Sequence, residues 1–424
     1  MTATAGAPPR IATLDVVRGV AVMGILAMNI VAFAMPFPAY MNPYAYGMES
    51  GADLASWIFS FIFIDGKMRG LFSLLFGASM LLVLERAEAA GESADAIHFR
   101  RMAWLLAFGL AHFYLLWWGD ILALYAAIGM AAWFFHRKPA RALIGWGVGL
   151  VLAQFLLFAL LSVSFFAASE AAAAPGASAE AVRSWARMKS EFALLSAEEL
   201  AATLALYRGG YQGILEHQLT EELFEPLKAI LLFGCETLAY MLFGMAALKN
   251  GFLAGAWPAR RYRRAALIGF AIGVPGYGLL AWLLWRDGFG VPMLFALSIA
   301  ATVLIRPAMV AGLAALVILA TRRGGAWVDR VAAAGRAAFT NYLGTSLVMT
   351  AFFYGWGLGL YGRFARAELW LVVAAMWALM LLWSKPWLDH YRYGPFEWLW
   401  RSLARGRLQP MRRGQSLSGE TASS

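Results

Sequence analysis

An all-α, polytopic transmembrane helix bundle of about ten spans, with two shorter half-helices, is the fold this sequence predicts. Three observations predict it. Of 424 residues, 61% are apolar or aromatic. Only 14% are charged, against roughly 25% in a soluble domain, and mean hydropathy is +0.64. Apolar runs of about twenty residues recur, each long enough to cross ~30 Å of hydrocarbon at ~1.5 Å per residue. This composition excludes a soluble enzyme and a nucleic-acid binder. The net charge of +10 therefore reads as loop charge that orients helices in a bilayer. The lone Cys235 excludes an intrachain disulfide or a cysteine-based metal cluster.

Met1 to Pro9 is small and polar, and the apolar run after Arg10 is too long for a signal peptide, so span 1 (14–35) stays in the protein. Leu54 to Ile64 is too short to cross and runs into Asp65-Gly66-Lys67, which suits an interfacial or re-entrant half-helix before span 2 (66–84). Spans 3 (101–117) and 4 (120–136) flank the tight turn Trp117-Trp118-Gly119-Asp120. Span 5 (141–167) closes an N-terminal bundle, residues 1–167. Residues 168–228 carry nine acidic and five basic residues and read as a helical lid outside the membrane. A second bundle, 229–386, holds spans 6 (229–248), 7 (264–285), 8 (305–321), 9 (337–360) and 10 (369–386), with a second half-helix over 289–304. Residues 387–424 read as a basic interfacial helix around Pro395 to Arg401, then a disordered tail.

With the N-terminus inside, lysine and arginine divide 23 to 8 in favour of the inner segments, which predicts both termini in the cytoplasm of an inner-membrane protein. Leu75-Phe76-Gly77 followed by Arg100-Arg101 is echoed by Leu242-Phe243-Gly244 followed by Arg263-Arg264. That pattern suits two parallel repeats, or simply common helix-end residues.

Ionisable groups within spans cost at least ~2.5 kcal/mol at mid-membrane and so mark function or pairing. Asp15 and Arg18 are spaced i, i+3 and pair on one face, with Asn29 nearly four turns further along it. Asp65 and Arg69 are spaced to neutralise each other, and Glu236 is placed to meet Arg69 or Arg306. His112 is the one histidine expected inside a span; an imidazole in apolar surroundings favours its neutral form, which can accept a proton. It reads either as a base or as a structural hydrogen bonder. Asp120 reads as an N-cap or as a partner in the same site. If helix continued between them, His112 would lie about 12 Å inward of Asp120, too far for contact. Arg336, Asn341, Tyr342 and Glu397 complete the polar set, and one cavity lined by spans 1, 2, 3 and 9 is expected. No spacing suggests a phosphate loop or a metal site.

Five patterns carry a resemblance: Arg10-Ile11-x-x-Leu14-Asp15-x-x-Arg18-Gly19, Phe72-Ser73-x-Leu75-Phe76-Gly77, Gly109-x-x-His112 with Trp118-Gly119-Asp120-Ile121-Leu122, Gly335-Arg336-x-Ala338-x-Thr340-Asn341-Tyr342, and Gly394-Pro395-x-Glu397-Trp398-Leu399-Trp400-Arg401. In this order they resemble the YeiB-type family of bacterial inner-membrane proteins, a domain of unknown function. That family is distantly similar to transmembrane acyltransferases such as heparan-α-glucosaminide N-acetyltransferase, which share the Asp-x-x-Arg-Gly helix and an Asn at the position of Asn29. The resemblance implies transfer of an acyl group from cytoplasmic acyl-coenzyme A to an extracytoplasmic glycan or other acceptor, with no bound cofactor. It departs at Tyr40, where the acetyltransferase has its catalytic histidine; Met35 to Trp57 contains none. The base would then be His112, with Asp120 orienting it and Asn29 or Asn341 holding the oxyanion. Arg18, Arg100, Arg101 and Arg336 would meet the donor's phosphates. Asp15, Arg69, Glu236, Tyr342 and Glu397 fall with the substrate-binding residues. The other reading is a transporter or lipid- or quinone-binding protein that does no chemistry. Membrane lipids and a small-molecule or glycan substrate are the expected partners, nucleic acid is not, and pairing of two copies stays open.

Overall fold

The computed structural model describes residues 12–190 and 192–413. Arg10 and Ile11 of the first pattern, Glu191 of the lid and the tail from 414 lie outside the described residues. No strand is present among the described residues; one isolated bridge joins Tyr391 to Arg412.

The helices are α1 (Ala12–Ala34), the single turn α2 (Pro38–Met41), α3 (Gly51–Phe59), α4 (Lys67–Ala89), α5 (Ala94–Leu115), α6 (Leu122–Ala132) and α7 (Ala140–Ala173). Three short helices follow: α8 (Ala179–Lys189), α9 (Ala197–Arg208) and α10 (Tyr211–Thr220). Then come α11 (Glu225–Lys249), α12 (Ala259–Asp287), α13 (Val291–Leu294), α14 (Thr302–Thr321), α15 (Ala326–Arg336), α16 (Ala338–Phe353), α17 (Leu369–His390) and α18 (Pro395–Arg405). Among the described residues, seven helical stretches are long and apolar enough to cross a membrane, with Leu122–Phe135 a shorter apolar one. The chain is thus a polytopic helical membrane protein.

Burial sorts the helices. The apolar stretch of α1 is 83% buried, whereas those of α7 and α17 are 28% buried, so α1 is the bundle's axis and the other two face outward. Leu152, Leu156, Leu160 and Val163 form an exposed stripe on α7, as a lipid-facing surface requires. The end of the bundle where α1 begins is termed proximal here, and the end where it finishes distal.

The first expected half-helix is present as a separate helix, 51–64, before α4, and the second takes another form. Ser60–Ile64 continues α3 as π-helix, and only the turn at Asp65-Gly66 separates it from α4. Gly66 sits at φ +71°, a conformation that suits glycine and breaks the helix there. Residues 291–321 form one unbroken 31-residue helix, with π-helix over Phe295–Ala301 joining α13 to α14. The separate half-helix at 289–304 is therefore corrected: the apolar run never stops, and Pro292 falls in a first turn where its missing N–H costs nothing. Span 9 ends at Phe353 rather than 360, because Tyr354-Gly355 leads into a loop of glycine-rich turns.

The two Leu-Phe-Gly segments meet. A side chain at Gly77 would collide with the Met241 carbonyl, and one at Gly244 with the Leu74 carbonyl. Each glycine admits the backbone three residues before the other, so α4 and α11 cross reciprocally at van der Waals contact of their backbones. α4 also packs on α14, and α11 on α6.

At the distal end the short helices lie across the bundle. The Tyr211 hydroxyl donates to the Leu115 carbonyl at 2.7 Å and Tyr114 to that of Leu223 at 2.6 Å. Gly355 N donates to the Tyr207 carbonyl at 2.8 Å, and Gly362 N to that of Ala34 at 2.7 Å. With 11, 12 and 10 residues, α8, α9 and α10 are each too short to span.

Candidate functional site

α5 ends one residue past Tyr114, and that ending builds the site. The amides of Leu116 and Trp117 both donate to the His112 carbonyl, at 3.0 and 2.9 Å, which closes the helix. The chain then doubles back through Trp118 and Gly119. Asp120 returns to His112: Oδ1 accepts from Nδ1 at 2.9 Å, and both side chains are 1% exposed. The expected separation of about 12 Å does not occur, because α5 stops at Leu115 and Leu116 to Gly119, the last four of the seven residues between them, turn the chain back. The second oxygen, Oδ2, accepts from the Ala123 amide at 2.8 Å and caps α6. One carboxylate oxygen thus meets His112 and the other caps α6.

With Nδ1–H committed to a carboxylate, the imidazole's accepting lone pair is on Nε2. Nε2 is buried and has no hydrogen-bond partner among the described residues. The His112 ring lies 5.2 Å from Tyr342 and 6.3 Å from Trp117, centroid to centroid. Those two rings form part of the wall of a small cavity between α1 and α16, with Asn29, Thr345 and Ser346. It has room for about one water molecule. The Tyr342 hydroxyl accepts from the Ile121 amide at 3.2 Å, so its own proton is free to be donated. Trp117 is held by stacking on Phe33 at 3.8 Å. Thr345 and Ser346 were not singled out from the sequence, although their i+3 and i+4 spacing from Tyr342 puts them on its helix face.

A second polar cluster shares no residue with that cavity's wall, so the polar residues expected around one cavity divide between two places. Glu236 on α11 meets both arginines: Oε2 takes Arg69 Nη2 at 2.8 Å, and Oε1 takes Arg306 Nη1. Arg306 also donates to Thr302 at 2.7 Å. The Asp65–Arg69 pairing is corrected, since Gly66 breaks the helix and its i, i+4 geometry, and Arg69 turns to α11 instead. Lys67 is fully buried; it donates to the Phe61 carbonyl and lies 3.4 Å over the Tyr277 ring. Tyr40 is within electrostatic reach of Asp65, Arg69 and Arg306, which puts it with this second cluster.

The remaining predicted residues are elsewhere. Asp15 and Arg18 pair at 3.2 Å near the proximal end, where Arg18 also donates to Ser79 at 2.7 Å. The Asn341 amide is consumed: Nδ2 donates to Ala334 and Ser384, and Oδ1 accepts from Trp383 Nε1. It pins α16 to α15 and α17 and has nothing left for an oxyanion. Glu397 accepts from the Phe339 and Thr340 amides at 2.6 and 3.1 Å and from the Thr340 hydroxyl, which docks α18 on the start of α16. Burial raises its carboxyl above the ordinary range. Arg336 ends α15, away from the cavity. His98, in the second turn of α5, is 1% exposed and bonds the Gly129 carbonyl at 3.1 Å. No group of three or more metal-ligating side chains occurs among the described residues.

Residues 247–407 match a family model described as "Protein of unknown function (DUF418)". The chain is 32% identical over 408 residues to the uncharacterized protein YeiB of Escherichia coli strain K12, covering 92% of this chain and 95% of that one. It is 31% identical over 410 residues to the uncharacterized protein YxaH of Bacillus subtilis strain 168, covering 95% and 96%. An uncharacterized 39.9 kDa protein from the amylase 3' region of Bacillus acidopullulyticus is 26% identical over 405 residues, 95% of this chain and 96% of that one. No solved structure matches the chain. Matched nearly end to end by these relatives, the chain belongs to the YeiB-type, DUF418 family of membrane proteins.

Proposed function

We propose that this protein is an integral membrane acyltransferase that moves an acyl group from cytoplasmic acyl-coenzyme A to an extracytoplasmic glycan or other envelope acceptor. The observation that carries the reading is the buried His112–Asp120 pair, whose Nε2 has no hydrogen-bond partner among the described residues and whose ring packs on Tyr342, a wall residue of the small cavity. In the proposed reaction Nε2 takes the proton of the acceptor hydroxyl or amine while that atom attacks the thioester carbonyl. Asp120 holds the ring and stabilises the imidazolium. The Asn29 side chain, on the cavity wall, donates to the developing oxyanion. The carbon–sulfur bond then breaks, and coenzyme A leaves as the thiol with the proton from His112. The reading has both termini in the cytoplasm of the inner membrane, supported by the 23-to-8 distribution of basic residues. Admission of substrates requires α1 and α16 to part, since the cavity holds only about one water.

The test is release of free coenzyme A by the full chain in detergent, given acyl-coenzyme A and envelope glycans. His112→Gln should fold and lose at least ~100-fold in rate. No release with any of a series of acyl donors overturns the reading. A transporter or lipid-binding role is the second reading, favoured by the reciprocal crossing of α4 and α11. It expects stabilisation by a lipid or metabolite found by mass spectrometry to copurify, without turnover.

A further inference from the structure

The proximal rim carries more positive charge than its carboxylates balance. Four arginines converge there from three helices. Arg18 comes from α1, Arg101 from α5, and Arg401 and Arg405 from α18. Arg101 is within electrostatic reach of Arg401 and Arg405, and Arg401 of Arg18. The scaffold fixes this arrangement. α18 packs on α5, and the Trp400 indole donates to the Arg101 carbonyl at 2.8 Å. Two of the four have acidic partners: Arg18 pairs with Asp15 at 3.2 Å and Arg405 with Glu92 at 3.3 Å. Arg101 and Arg401 have no carboxylate in ion-pair contact among the described residues. They lie instead on aromatic faces, Arg101 4.0 Å over Trp400 and Arg401 4.6 Å over Tyr393. The nearby Glu397 has both oxygens committed to Phe339 and Thr340.

Like charges held together by a rigid scaffold lower each other's stability unless an anion joins them. A guanidinium fork fits the oxygens of a phosphate, and stacking on a ring leaves its edge N–H groups facing outward for that purpose. We propose that the rim between α5 and α18 binds a phosphate-bearing anion, with Arg101 and Arg401 as its principal ligands. The phosphate can belong to an anionic lipid headgroup or to a soluble phosphoester. Arg101 lies eleven residues before His112 on α5, about three helical turns away toward the proximal end, and the proposal does not rest on acyl transfer.

Thermal unfolding of the full chain tests it. In nanodiscs of phosphatidylcholine, inorganic pyrophosphate is titrated at constant ionic strength. In parallel, phosphatidylglycerol replaces part of the phosphatidylcholine without pyrophosphate. The wild type should be stabilised in at least one arm: pyrophosphate alone identifies a soluble phosphoester, phosphatidylglycerol alone a lipid headgroup. Arg101→Gln with Arg401→Gln should weaken the response at least ~10-fold in apparent affinity. The single Arg401→Gln, at an exposed position, provides the same reading should the double variant fold poorly. No stabilisation of the wild type in either arm, or equal stabilisation of the variants, overturns the proposal. Loss of coenzyme A release with this stabilisation intact would refute the transfer reading alone.

Discussion

Asp120 does two jobs with two oxygens, and substitution separates them. Asn at 120 can still accept from the Ala123 amide, so Asp120→Asn should cost only ~1 kcal/mol in stability. It lacks the charge that favours an imidazolium and can present its amide to Nδ1 in the wrong sense. Its rate in the coenzyme A release assay should fall at least ~100-fold, while Asp120→Ala should lose the cap as well and unfold at lower temperature. An Asn variant with wild-type rate would remove Asp120 from the chemistry. Little in the sequence announces the His112–Asp120 contact. Leu116, Trp117 and Trp118 continue the apolar run past the end of α5, and only Gly119-Asp120 signals a turn. The helix stops because the two amides after Leu115 fold back on the His112 carbonyl, a choice made by Trp117 stacking on Phe33 of a distant helix.

Helix pairings rest on a few contacts. Glu236 lies between two guanidiniums from α4 and α14 and is 2% exposed. Glu236→Gln leaves Arg69 and Arg306 facing each other without their counter-charge and should destabilise by about 3–5 kcal/mol, seen as a drop in the detergent unfolding temperature. Replacing all three residues with Met should recover much of that loss, unless the cluster has a role beyond packing. At the α4–α11 crossing, Gly77→Leu or Gly244→Leu forces backbones apart and should cost at least ~2 kcal/mol each. A control at Gly145, which has open space around it, should be close to neutral. The existence of these helices was legible from the length of their apolar runs. Their mates were not: the sequence offered Arg69 either Asp65 or Glu236, and the left-handed Gly66 decided for Glu236 by ending the i, i+4 relation.

Across the whole molecule, polarity is distributed along α1. Its proximal end has the Asp15–Arg18 pair and the arginine rim, its distal end the His112 cavity and the short helices α8 to α10. If the proximal end is cytoplasmic, a C-terminal phosphatase fusion should be inactive and a C-terminal fluorescent fusion bright. The reverse pattern would invert the proposed topology. Protease added from the periplasmic side of spheroplasts should cut within 174–178 or 192–196, the stretches between α7, α8 and α9, and leave the spans intact. Protection of both stretches would mean that the short helices are covered by something else.

The wide turn over Phe295–Ala301 has a genetic consequence. In π-helix each amide reaches back five residues, so the segment accommodates about one residue more than an α-helix would hold, without disturbing the faces on either side. A single codon deleted from 295–301 should let the turn relax to α geometry and leave Arg306 directed at Glu236. The same deletion between 308 and 318 turns one part of the helix against the other by about 100° and moves Met309, Val310 and Ala314 off the core face. Scanning single-codon deletions along 291–321, scored by folded protein in the membrane, should therefore give one tolerant window. It should coincide with the wide turn; uniform intolerance would mean that the extra residue is itself required.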